Sequence, residues 1–65
     1  MNSIKIKNKI AKYCNGNMHK YFNMVEIANW LILKKNLNLS EVDFFDEVSL
    51  IYLKNIYKKT LHKQN

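Results

Sequence analysis

The chain has 65 residues, 48% of them hydrophobic and eight aromatic, with eleven basic residues against five acids for a formal net charge of +6. A chain this apolar is not disordered, yet a domain of this size buries only about 60% of its unfolded surface, which leaves little room for an enclosed catalytic cleft. The single cysteine, Cys14, excludes an intrachain disulfide, and the longest uncharged apolar stretch, Ile27 to Leu33, falls far short of the ~20 residues that span a bilayer.

The Lys-rich start (Lys5, Lys7, Lys9, Lys12) never leads into an apolar run, so no signal peptide is expected and the chain reads as a soluble cytoplasmic protein. All eleven basic residues are Lys, and Lys, Asn and Ile together supply 28 of the 65 positions. These residues have AT-rich codons, so the charge has two readings: coding bias, or attraction to phosphate and acidic protein surfaces.

The first segment places Ile6, Ile10, Tyr13 and Cys14 on one helical face, with Lys5, Lys9 and Lys12 as a stripe beside it. Ser3 to Lys7 also alternates as a strand would, but a lone strand has no partner here, and a helix near 4–14 is the better reading. Asn15-Gly16-Asn17 then stops it, Gly16 being suited to a left-handed terminal residue. Met18 to Phe22 reads either as a short helical turn or as a loop.

A clearer start stands at Asn23. Asn23 is placed as a cap, Glu26 at the third helical position, and Phe22 with Ile27 as a staple, which predicts a helix near 24–35. Lys34 and Lys35 suit its negative end, and Asn36 is placed to terminate it. The same grammar recurs with Ser40 as cap, Asp43 at the third position, and Leu39 with Phe44 as staple.

That last signal opens a third helix near 41–61, roughly 30 Å long. Glu41, Asp43, Asp46 and Glu47 lead it and Lys54, Lys58, Lys59 and Lys63 follow, matching the helix dipole. The whole is predicted to be an all-α, small three-helix domain with a long C-terminal helix and antiparallel neighbours.

The girth of this third helix is the most informative feature. At 100° per residue, Val42, Phe45, Ser49, Tyr52 and Ile56 form the expected core stripe. Phe44, Val48 and Ile51 lie along one flank, Leu50, Leu53, Tyr57 and Leu61 along the other. Only a wedge holding Asp43, Glu47, Lys54 and Lys58 is strongly polar. Two short helices cannot easily cover so wide an apolar arc, so both flanks are expected to form a protein interface, in a homodimer or on another protein. The alternative is that the first two helices wrap the third closely.

Chemistry has little to stand on. Asp43, Asp46 and Glu47 lack the shaped oxygen-rich loop that a divalent cation needs. Cys14, His19 and His62 are too few and too scattered for zinc, and no orienting group accompanies a Cys–His pair. No catalytic residue, metal, cofactor or small-molecule substrate is therefore expected.

Nucleic acid is the rival partner. Lys5, Lys9 and Lys12, with Lys58, Lys59 and Lys63, are placed to neutralise phosphates. A helix-turn-helix across residues 36–39 is opposed by the four acids leading the third helix, since the start of a recognition helix contacts bases, and by the lack of Arg. Membrane-surface binding by the first helix is disfavoured by its short apolar face. The expected function is a non-enzymatic interaction module, a small regulator or inhibitor docking through its C-terminal helix. The alternative is a nucleic-acid-binding accessory protein.

Overall fold

The computed structural model describes residues 3–35 and 38–64, with side chains for residues 3–34 and 38–59. Three helices follow one another: α1 (Ser3–Cys14), α2 (Met18–Lys35) and α3 (Glu41–Gln64). No strand occurs among the described residues, so the alternation at Ser3 to Lys7 is helical. Each helix packs against both others, forming a small all-α domain with the long C-terminal helix expected from the sequence.

α1 ends where the chain turns left-handed. Asn15 and Gly16 have φ of 49° and 86°, and the Asn15 amide still donates to the Ala11 carbonyl at 3.1 Å. A Cβ at Gly16 would meet nothing within 4 Å. Glycine is therefore favoured there by backbone conformation and not by crowding.

α2 begins at Met18, about one and a half turns earlier than the start expected at Asn23. The cap is Asn17, whose Oδ1 accepts from the Lys20 amide at 3.1 Å, while its carbonyl accepts from Tyr21 at 3.0 Å. Asn23 lies inside the helix, so the Asn23–Glu26 box and the Phe22–Ile27 staple do not form. Instead Phe22 is exposed, with its ring edge-on to Tyr21 at 5.6 Å. A capping box acts only where the preceding backbone is not already helical. The left-handed turn at Asn15-Gly16 brings that break to Asn17.

At α3 the expected cap is present. Ser40 Oγ accepts from the Asp43 amide at 3.2 Å, and the Ser40 carbonyl from Phe44 at 2.9 Å. The expected terminator Asn36 lies outside the described residues.

The core is Ile6, Ile10 and Cys14 from α1, Met24, Ala28 and Leu31 from α2, and Phe44 and Val48 from α3. Each set repeats at three- or four-residue spacing, as the buried stripe of an amphipathic helix does. Tyr21, Val25, Ile27, Phe45, Ile51 and Tyr52 pack around it half-buried.

The two caps make distinct predictions. Asn17→Ala and Ser40→Ala should each lower stability by about 1 kcal/mol, whereas Asn23→Ala should not show a capping loss. Urea unfolding followed by circular dichroism checks this, and a larger loss at Asn23 than at Asn17 would contradict the observed start of α2.

Candidate functional site: the outer face of α3

The core stripe of α3 is not the one its composition suggests. Phe44 and Val48, placed on a flank by the sequence, are 0% exposed. Ile51 is half-buried against them. Phe44 and Val48 therefore build the core, while Ile51 packs on it and also lines the open groove between α2 and α3. Val42 and Ile56, expected in the core stripe, are instead 56% and 41% exposed. The buried face is rotated towards the polar wedge because α1 and α2 clasp α3 along Phe44 and Val48. A wide apolar arc does not itself specify which part of it the neighbours cover. Ser49, the small polar member of the expected stripe, ends half-buried, and its hydroxyl has no hydrogen-bond partner among the described residues.

This rotation leaves the other flank outside. Leu50, Leu53 and Tyr57 are 54%, 52% and 65% exposed. Leu61 belongs to the same flank by sequence, but its side chain lies outside those described. With Val42 and Asp46, the three residues occupy about 80° of arc at 100° per residue, centred opposite Phe44 and Val48. Their steps (Val42, Asp46, Leu50, Leu53, Tyr57) are four, four, three and four residues, the spacing of a helix–helix seam. α3 thus carries two apolar stripes, one facing the core and one facing solvent.

Overall dimensions agree with a surface left uncovered. A compact protein of this mass exposes about 4,400 Å² and has a radius of gyration near 10.8 Å at this length. This chain exposes 5116 Å² with a radius of gyration of 12.4 Å. α1, with 12 residues, is half the length of the 24-residue α3 and cannot shield all of it.

Beyond the reach of α1, an open groove of about 870 Å³ runs between α2 and α3. Ile27, Trp30, Ile51 and Ile56 line it, with Lys58 and Lys59 also bordering it. Ile56 follows Leu53 by three residues, so groove and outer stripe adjoin on α3.

The basic residues are divided. Lys5, Lys9 and Lys12 are all exposed on α1, but the Lys9 ammonium stands over the Phe45 ring at 5.5 Å. The Lys20 ammonium lies 4.2 Å from the Tyr13 ring centre and 5.7 Å from that of Tyr52. Tyr13 in turn meets Phe45 edge-on at 5.6 Å. Two lysines and three aromatic rings therefore tie α1, α2 and α3 together over the core, within the ~6 Å range of cation–π attraction. Sequence spacing does not reveal this cluster, because its members come from three different helices. Lys58 and Lys59 are exposed on α3, and the Lys63 side chain is outside those described.

Cys14 is buried, with its thiol 3.7 Å from the Met24 sulfur. Burial raises its pKa above the ordinary thiol value, and the Lys20 ammonium lowers it in part. No group of three or more His, Cys, Asp or Glu is arranged to hold a metal among the described residues. No described helix is long and apolar enough to cross a membrane.

No protein-family model matches the chain, and no curated protein or solved structure is significantly similar to it. Its fold defines it as a small three-helix domain, and functional inference rests on its own residues.

Two outcomes test this geometry. Phe44→Ala should cost about 3–5 kcal/mol, as for other buried aromatics, while Leu53→Ala should stay within about 0.5 kcal/mol when unfolding is measured in dilute solution. Reversed sensitivities would place the core on the other flank.

The second concerns Cys14. Because its folded pKa is raised, the fold favours the neutral thiol. That contribution is complete below the ordinary thiol pKa and is lost as pH rises through the raised value. Urea midpoints should therefore fall more steeply above about pH 8.5 for the native chain than for Cys14→Ala. Parallel slopes would show that burial of this thiol has no energetic weight.

Proposed function

We propose that the chain is a non-enzymatic protein–protein interaction module, a small regulator or inhibitor that engages its partner through the outer face of α3. The observation that carries this reading is the solvent-facing stripe of Leu50, Leu53 and Tyr57, opposite the stripe that builds the core. Isolated exposed apolar residues are ordinary on protein surfaces, but a stripe at helix-packing spacing marks a contact surface. The surplus surface and the adjoining groove lined by Trp30 and Ile56 point the same way.

The phosphate-binding alternative has weaker support. It rests on the net charge of +6 and the exposed Lys5, Lys12, Lys58 and Lys59. Lys9 is engaged with Phe45, and the exposed carboxylates of Asp43 and Asp46 would repel phosphate from the start of α3.

A photo-crosslinking residue placed at Leu53 tests the reading in the cell that makes the protein. Leu53 should give one dominant crosslinked species, and the same probe at exposed Asn8 on α1 should not. No discrete product at Leu53, or equal products from both positions, would overturn the assignment of this face.

A further inference from the structure

We infer that the partner of the outer α3 face is a second copy of this chain, docked with the two α3 helices antiparallel. This rests on the interaction reading above and adds to it the identity and direction of the partner.

The charge layout supplies the argument. Beside the apolar stripe runs one flank holding Asp43, Glu47, Lys54 and Lys58. Asp43 and Glu47 are four residues apart, as are Lys54 and Lys58, so each pair sets like charges together on the helix. Such pairs are unfavourable within a single helix. None of the four makes an ion pair among the described residues. The alignment with the helix dipole explains acids at the start and lysines later. It does not explain why both signs share one flank beside an exposed apolar stripe.

A two-fold axis across the stripe resolves this. It brings the same flank of both helices together while running them in opposite directions. With the axis near Ile51, Leu50 of one copy meets Leu53 of the other. Asp43 and Glu47 then face Lys58 and Lys54 across the seam, so every like-charge pair meets its opposite. Parallel helices would instead set this flank against the opposite one, which carries Ser49 and Ile56, and would leave both like-charge pairs uncompensated.

The one polar member of the stripe points to the same register. Asp46 would be a costly unpaired charge in an apolar seam. In the antiparallel register it lies opposite Tyr57 of the second copy, whose hydroxyl is placed to donate a charge-assisted hydrogen bond. In parallel pairing Asp46 would face itself.

Mass and direction are measured together. Sedimentation equilibrium should give twice the 7.8 kDa chain mass, and Leu50→Ser/Leu53→Ser should give a helical monomer by circular dichroism. Direction is read in a Cys14→Ala background. Under mild oxidation, an equal mixture of Asp46→Cys and Tyr57→Cys chains should form its mixed disulfide about tenfold faster than either forms a disulfide with itself, since only opposed positions gain effective concentration.

Faster self-disulfides would overturn the antiparallel arrangement. A single-chain mass up to about 1 mM would overturn self-association. If that monomer still yields a product with a different protein from the Leu53 probe, the interaction reading stands and the second copy is excluded. If no product forms, both fail. A dimer that persists in the folded Leu50→Ser/Leu53→Ser variant uses another surface and ends the second-copy assignment, and the Leu53 probe then decides the interaction reading in the same way.

Discussion

The structure depends on the insertion of Phe44 and Val48 between α1 and α2. Those two side chains share one buried cluster with Ile6, Ile10 and Cys14 of α1 and Met24, Ala28 and Leu31 of α2, which is the core of the domain. Six of its eight members are essentially inaccessible, and each such side chain stabilises the fold by about 1.5–3 kcal/mol relative to exposure. A core this small tolerates little loss. It also sets the rotation of α3 about its own axis, and with that every statement about its outer face.

Around this centre the aromatic cluster acts as a second tie. Tyr13 comes from α1 and Phe45 and Tyr52 from α3, and Lys9 and Lys20 lay their ammonium groups over the rings. Each such contact contributes about 0.5–1 kcal/mol at an exposed site. Lys9, one of the lysines whose charge suggests phosphate binding, thus has a structural use. Charge count and charge function are separate questions for this chain, and Lys20 shows it most clearly, bridging Tyr13 of α1 and Tyr52 of α3 from its place on α2.

Unequal helix length generates the candidate site. At 1.5 Å per residue, α1 covers about 18 Å and α3 about 36 Å. The shorter helix cannot close the groove between α2 and α3, where Trp30 and Ile56 remain part-exposed. Nor can any third helix reach the far side of α3, which faces away from both neighbours. The apolar stripe there lies outside the core of the domain, and it is the surface on which the proposed contact rests.

The sequence by itself determined that the chain is helical, how many helices it has, and where α1 ends and α3 begins. Gly16 marks a left-handed stop and Ser40 a cap, and both act through local backbone geometry within a few residues. Local grammar also misled, since Asn23 and Glu26 have the form of a helix start. Whether such a pair caps anything depends on the chain before it, and that chain is already helical from Met18. The excess of apolar surface on α3 was legible too, because total girth is a property of composition and period. Which part of that girth is core was decided only by tertiary structure: burial belongs to the space between helices, and α1 and α2 chose Phe44 and Val48 over Val42 and Ile56. That choice put Phe44 and Val48 in the interior with Ile51 half-buried on the core, and it left Leu50, Leu53 and Tyr57 facing solvent, because the neighbouring helices lie on the other side.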